Sequence, residues 1–144
     1  MFQNTHFALA VHVLTALTVR ARMSSAELAA SVNTHPTFVR NLLGCLKKAD
    51  LVEVKMGKAG GAALGRPADQ ITLLDVYRAT GAGAAPCHHS SPSQSCVVGR
   101  NILGVFDGVM VEVEAAVEEA LSRHTIADVA RRVIEGPPER PQKV

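Results

Sequence analysis

The sequence predicts a mainly α-helical chain with a small β-hairpin and a long C-terminal helix. Three observations predict it. Apolar residues recur at helical spacing, Ser, Thr and Pro mark several helix starts, and a glycine-rich turn joins two short extended segments. The 144 residues, 47% hydrophobic and 19% charged, suffice for one compact domain with a small extension.

Three helices are predicted in the N-terminal third. The first covers residues 5–20, and the second, 25–32, follows a capping box formed by Ser24 and Glu27. The third begins at Pro36, behind a polar N-cap candidate, and ends near residue 49. The expected apolar stripe of the first helix consists of Phe7, Ala8, Val11, Leu14, Thr15 and Thr18. We expect His12, on the same helix, to be a hydrogen-bonded core residue.

The third helix divides into two faces. Its apolar stripe consists of Phe38, Val39, Leu42, Leu43 and Leu46. Its opposite face consists of Thr37, Arg40, Asn41, Gly44, Lys47 and Lys48. One face can therefore pack on a core while the other offers hydrogen-bonding groups and cations to a partner.

A hairpin and a short helix follow. Residues 51–56 alternate as a strand does, residues 57–61 form a glycine-rich turn, and residues 62–64 return as a second strand. Pro67 ends the hairpin, and a helix of about residues 73–80 comes next.

The C-terminal half contains a long loop and a long helix. Residues 81–98 lack periodicity, which predicts a loop, and residues 99–122 form a helix about 36 Å long. Its sustained apolar seam is typical of a helix that packs along a partner helix. The expected interface consists of Ile102, Val105, Phe106, Val109, Val113 and Val117. A short helix, 126–134, precedes a polar tail.

The charge is divided unevenly between the two halves. Residues 1–66 carry eight Lys and Arg against three acids, a net +5, whereas residues 67–144 carry a net −3. A basic half with helix, capped helix, proline-started helix and glycine-tipped hairpin in this order predicts a winged helix-turn-helix. There the third helix enters the major groove of DNA and the wing contacts phosphates or the minor groove. Aromatic residues make up only 3% of the chain, which argues against a stacking platform for single strands.

The candidate DNA contacts follow from this architecture. The predicted base-reading residues are Thr37, Arg40 and Asn41. The predicted phosphate contacts are Ser25, Lys47, Lys48, Lys58 and Arg66. Gly60 and Gly61 allow close approach of the wing backbone to DNA.

Cysteine usage and the N-terminus favour a cytoplasmic protein without a membrane partner. Three cysteines do not make a disulfide framework, so a reducing compartment is favoured over secretion. The apolar run 7–19 follows no cluster of positive charge and is too short to span a bilayer, which predicts a buried helix.

The chain resembles the Rrf family of bacterial winged-helix regulators, which includes the IscR, NsrR and CymR types. The matching segments are Leu28-Ala29, Leu42-Leu43-x-x-Leu46-x-Lys48-Ala49-x-Leu51-Val52, Gly57-x-x-Gly60-Gly61-x-x-Leu64, Ile71-Thr72-Leu73-x-Asp75-Val76 and Thr125-Ile126-Ala127-Asp128-Val129. The resemblance implies a homodimeric regulator, usually a repressor, that pairs through the long helix and binds a palindromic operator. One departure concerns the wing, because the family often has Arg where this chain has Met56.

The resemblance also bears on sensing. Family members often hold an iron–sulfur cluster on three loop cysteines, whereas this loop has only Cys87 and Cys96, which excludes an all-cysteine site within one chain. A mixed-ligand cluster or a metal remains an alternative, with His6, His88 and His89 as ligand candidates.

The segment that begins at Cys96 looks more like a branch of the family that holds no cluster, so no cofactor is our first expectation. A thiol at a helix N-terminus ionises readily, and a disulfide switch of Cys96 with Cys87, or with Cys45 of either chain, is the leading sensor hypothesis.

We therefore divide the chain into four parts: a DNA-binding domain (1–80), a sensor loop (81–98), dimerisation helices (99–134) and a flexible tail (135–144). The competing interpretation is an adaptor that uses the helix-turn-helix to bind protein. An enzyme is disfavoured, since no nucleotide-binding motif or oriented catalytic set is identifiable.

Overall fold

Six α-helices and a three-stranded sheet make up the part of the chain that the computed structural model describes, residues 5–83 and 91–136. In chain order they are α1 (Thr5–Arg20), β1 (Arg22–Met23), α2 (Ser25–Val32), α3 (Pro36–Lys48), β2 (Val52–Lys55), β3 (Gly61–Leu64), α4 (Leu73–Ala79), α5 (Val97–Ser122) and α6 (Ile126–Glu135), with a 3₁₀ turn, Ala68–Gln70, before α4. The predicted fold class is confirmed.

The core surrounds α1. This helix contacts α2, α3, α4, α6 and the sheet. Its fully buried positions are Ala10, Val13, Leu14 and Leu17. Of the predicted stripe, Leu14 and Thr15 are buried, and Phe7 and Val11 pack half-buried against the core. The prediction is wrong at Ala8, which is exposed, and Thr18 is half-buried. Because α1 is apolar around most of its circumference, periodicity alone does not identify its buried face. The stripe of α3 is buried as predicted, with Phe38 half-buried at its edge.

The helix-turn-helix is fixed by local caps. The predicted capping box at α2 is present: the Ser24 hydroxyl accepts from the Glu27 N–H (3.2 Å), and Glu27 accepts from the Ser24 N–H (2.8 Å). Asn33 ends α2 in the left-handed conformation, with φ 54°. His35 caps α3, since its Nδ1 accepts from the Thr37 N–H at 3.2 Å. These caps set the sharp turn between the two helices.

The sheet has the order β1–β3–β2, with all pairs antiparallel. The wing, defined here as residues 52–64, pairs Val52 with Leu64 at its base and Lys55 with Gly61 at its end. Strand β1 was not predicted, and β2 is shorter than the expected 51–56. Gly61 has φ +123°, and a Cβ there would lie 2.6 Å from the Met23 carbonyl oxygen, so the β1–β3 pairing requires glycine.

Helix α5 begins at Val97, two residues earlier than predicted, and none of its residues is buried within the described chain. Its C-terminal half is attached to α4. Arg78 donates to Glu118 (2.7 Å), and the Tyr77 hydroxyl donates to Glu114 (3.4 Å). Burial, with the Glu114 carboxylate, raises the pKa of Tyr77 and keeps its hydroxyl a donor.

Helices α4 and α6 begin side by side. Thr72 and Thr125 form an isolated antiparallel bridge, in which the Leu73 N–H donates to the His124 carbonyl and the Ile126 N–H to the Ile71 carbonyl, both at 2.8 Å. Helix α6 ends at Glu135, inside the predicted tail, and residues 137–144 lie outside the described part. Across the described ranges, no helix is long and apolar enough to cross a membrane.

Candidate nucleic-acid interface

The outward face of α3 presents the predicted reading residues together. Thr37, Arg40 and Asn41 are all exposed, and the Arg40 guanidinium donates to the Thr37 hydroxyl at 3.2 Å. Lys47 and Lys48 extend the same exposed surface at the C-terminal end of the helix. The structure therefore brings two neutral hydrogen-bonding groups and three cations onto one helix, opposite its buried stripe.

The cations of this region fall into two groups. Arg40, Lys47, Lys48 and Lys58 make no ion pair with any residue in the described ranges, so no carboxylate there neutralises their charges, which a polyanion can bind. Arg22, by contrast, is a structural residue. It donates to the Gly61 carbonyl (3.0 Å) and to Glu53 (2.9 Å), and so ties β1 to both strands of the wing.

Arg66 is also engaged. Its guanidinium lies 3.1 Å from a carboxylate oxygen of Asp75, and the same oxygen accepts from the Thr72 N–H that begins α4. The structure thus places Arg66 at the base of the wing, held toward α4, rather than with the free cations. Ser25 is half-buried in the first turn of α2, just after the Ser24 cap, where the helix offers its free backbone N–H groups.

The wing tip, residues 55–60, is a tight and exposed turn. Gly57 has φ +99°, the Gly60 N–H donates to the Gly57 carbonyl at 3.0 Å, and a Cβ on Gly60 would collide with the Lys55 carbonyl oxygen. Lys55 and Lys58 are both exposed beside this turn. Lys55 was missed as a candidate, although its place on the outward phase of an alternating strand could have identified it.

Comparison with known proteins identifies this arrangement. A model of the Rrf2 family, described as iron-dependent transcriptional regulators, matches residues 3–132. The chain belongs to the Rrf2 family. The predicted resemblance is confirmed, and this Rrf2 protein is a transcriptional regulator rather than an enzyme.

Individual relatives support this family assignment. The HTH-type regulator described as YwnA of Bacillus subtilis is 35% identical over 127 residues, which are 88% of this chain and 95% of YwnA. A solved structure described as a DNA binding protein shares 33% identity with a TM-score of 0.72, covering 87% of this chain and 98% of its own. IscR from T. potens, at 21% identity and a TM-score of 0.71, covers 98% of this chain and 94% of its own, and shows the same fold.

Two cysteines of this Rrf2 chain are described, and both are exposed and free. Cys96 is the N-cap of α5, with φ −95° and ψ 133°. The nearby backbone N–H groups of Gly99 and Val98 lower the pKa of its thiol. The predicted ionisable thiol at a helix N-terminus is therefore in place. Cys87 lies outside the described residues.

Cys45 lies on α3, where it lines a groove of about 300 Å³ together with His6, Asn41 and Thr80. The ring of His6 stacks on Phe38, with centroids 5.1 Å apart and planes at 16°. The structure thus brings His6, a predicted metal ligand, and Cys45, a predicted sensor thiol, to one edge of α3.

The family description raises the question of iron. Within residues 5–83 and 91–136, no group of three or more His, Cys, Asp or Glu side chains is close enough to hold a metal ion. The described residues therefore do not supply a ligand set. The cluster hypothesis depends on Cys87, His88 and His89, which lie outside them.

The predicted dimer seam is only partly covered. Ile102 and Phe106 each keep 38% of their surface exposed, Val109 keeps 50% and Val105 keeps 65%. Val113 and Val117 are half-buried. An apolar stripe of this extent, open to water on a long helix, is typical of a surface that a partner covers.

A second apolar groove, of about 720 Å³, lies between α1, α2 and α6. Val19 and Val133 contribute to its walls, and His12 donates to or accepts from the Ser31 hydroxyl at 3.1 Å along it. His12 is exposed, so its predicted place in the core is wrong. Its side chain points away from the buried face of α1 because that face is already filled by Leu14 and its neighbours.

Proposed function

We propose that this Rrf2 protein is a homodimeric, sequence-specific regulator that binds a palindromic operator in double-stranded DNA and represses transcription in the cytoplasm. One observation carries the proposal: the cations and hydrogen-bonding groups of α3 are exposed opposite its buried stripe, and neither these cations nor the lysines of the wing form ion pairs with residues 5–83 or 91–136. An exposed basic helix with this composition suits a major groove, which α-helices enter and where Arg and Asn can recognise guanine and adenine.

The residues divide into reading and positioning groups. Thr37, Arg40 and Asn41 contact base edges. The proposed phosphate contacts are Ser25, Lys47, Lys48 and Lys58. Arg66 joins them once its ion pair with Asp75 is replaced by a contact with phosphate. Gly60 and Gly61 let the wing turn tightly against the duplex.

Dimerisation through α5 supports this role. The seam formed by Ile102, Val105, Phe106 and Val109 exposes an apolar stripe to water, which is typical of a surface that a partner covers. A two-fold axis through this seam would present two copies of α3 to two half-sites, and their separation would set the half-site spacing.

The test compares two variants with one control. Arg40→Ala should abolish discrimination between a selected operator duplex and a mixed-sequence duplex. Lys58→Ala should weaken both duplexes alike and reduce the slope of log K against log salt by about one per wing. Arg132→Ala, at an exposed arginine of α6, is the matched control. Unchanged binding in both test variants would refute this assignment, and failure of the wild type to bind any duplex would favour the protein-binding adaptor.

Regulation by thiol oxidation is the proposed signal. Two thiols would form a disulfide between Cys96 and Cys87, with loss of two hydrogens, while peroxide is reduced to water. The supporting observation is that the Cys96 thiol is exposed at the start of α5 and that its pKa is lowered there. Peroxide should release DNA from the wild type, and the double Cys→Ser variant should stay bound. Equal release from both would end this hypothesis.

A further inference from the structure

The tip of the wing carries an apolar side chain that covers no part of the protein. Met56 keeps 92% of its surface exposed, the highest fraction among the large exposed hydrophobic residues of the described chain. Its neighbours Lys55 and Lys58 are exposed cations. Single exposed apolar residues are common on protein surfaces, so what distinguishes Met56 is its position between two exposed cations at the tip of the wing.

Met56 is not a displaced core residue. In β2 the alternation places Val52 in the core and Val54 half-buried on the same side, and Met56 continues that phase. The strand nevertheless ends at Lys55, and the pair of Lys55 with Gly61 is the last one of the ladder. Met56 therefore projects beyond the sheet, where no strand or helix of residues 5–83 and 91–136 covers it.

The turn holds this side chain in a defined position. Gly57 follows it with φ +99°, and the Gly60 N–H closes the turn on the Gly57 carbonyl at 3.0 Å. A Cβ on Gly60 would collide with the Lys55 carbonyl oxygen, so the two limbs of the tip are in close contact. A tight turn of this kind presents Met56 outward instead of letting it fold back on the wing.

We propose that Met56 is the apolar contact of the wing with the minor groove of the bound duplex; this inference rests on the proposed DNA-binding function. Lys55 and Lys58 are exposed cations on either side of Met56 in the chain, so their contacts with the phosphates that border the groove would bring Met56 to the groove between them. A thioether has no hydrogen to donate and makes no base-specific pair, but apolar side chains including Met do enter minor grooves. The contact is made with the sugar walls and the groove floor.

This contact selects for A·T pairs where the wing lies. The guanine 2-amino group projects into the minor groove and is absent from A·T pairs. Covering that amino group with a methionine would leave a donor without a partner and obstruct the side chain. The wing therefore discriminates base pairs by the shape of the groove and without arginine.

The first experiment measures affinity and salt dependence with the full chain on a duplex selected from a random library. Met56→Ala should weaken binding about tenfold for a protein with two wings, since each loses a partly buried apolar side chain, and the salt slope should not change. Met56→Gln, which matches the length of Met but is polar, should lose about as much. Met56→Leu should stay within about twofold of the wild type. Ile134→Ala, at another exposed apolar residue, is the control and should bind as the wild type does.

The second experiment locates the contact. Replacing adenine by 2,6-diaminopurine in the flank under the wing adds a minor-groove amino group and leaves the major groove unchanged. This change should weaken the wild type and leave Met56→Ala unaffected. Met56→Ala or Met56→Gln binding within twofold of the wild type, or equal loss on diaminopurine for wild type and Met56→Ala, would overturn the inference while Lys58→Ala still reported DNA binding. Absence of all duplex binding would instead refute the proposed function.

Discussion

Helix α5 provides a direct test of the dimer, with Val109→Glu as the perturbation. Val109 keeps 50% of its surface exposed on the single chain, so pairing buries roughly half of a valine side chain, worth about 1 kcal/mol per copy. Glutamate removes this gain and buries an unpaired carboxylate at a cost of about 3 kcal/mol per copy. Over two copies the loss is about 8 kcal/mol, which is about six orders of magnitude in the dimer dissociation constant.

Val111→Glu is the matched control for this experiment. Val111 is 69% exposed and lies two residues further along α5, which places it about 200° around the helix and on the opposite side from Val109. Sedimentation velocity over a concentration series should show a monomer for Val109→Glu and a dimer for Val111→Glu. The reverse result would place the interface on the other face of α5, and a wild type that stays monomeric throughout would refute dimerisation through this helix.

Three further predictions follow from caps and turns. With Cys96 as the sole cysteine, its alkylation rate should reach its plateau at a lower pH than that of a free cysteine, because backbone N–H groups stabilise the thiolate; coincident pH profiles would contradict this. Backbone and side-chain hydrogen bonds from Thr125 lower the pKa of Asp128, so its contribution to stability is full above the ordinary Asp pKa and is lost as the pH falls through the lowered value. Asp128→Asn should therefore lower Tm at neutral pH, with the difference vanishing in acid. Gly61→Ala should lower the free energy of unfolding in urea by about 1–3 kcal/mol more than Gly57→Ala, since both have positive φ but only Gly61 meets backbone.

The helical frame of the protein could be predicted from sequence because its signals are local. The capping box of Ser24 and Glu27 and the proline at the start of α3 lie within a few residues of the bonds they form. Strand β1 could not be predicted, since two residues carry no alternation and Arg22 becomes extended only by pairing with Ala63. The start of α5 could not be placed at Val97, because its N-cap is Cys96 and cysteine is not among the residues that mark helix starts in a sequence.

In the candidate site, too, the features set by nearby residues could be predicted and those set by distant residues could not. The exposed face of α3 could be predicted, because a strongly two-faced helix orients its own polar side. The environment of Arg66 could not, since its partner Asp75 comes within reach only after the intervening 3₁₀ turn has formed. The exposure of Met56 likewise depends on where the strand ladder stops, which the alternating sequence does not reveal.

The attachment of α5 to α4 makes the long helix a lever. Glu114 and Glu118 fasten its C-terminal half to the body, whereas its 26 residues extend over about 39 Å. The first residue of α5 lies about 26–32 Å from these two attachments. A tilt of about 10° there would displace it by about 5 Å, roughly one and a half base-pair steps of DNA. In a dimer joined along α5, a small change in the angle between α4 and α5 would therefore shift the two copies of α3 relative to the spacing of their half-sites, without any unfolding of α3.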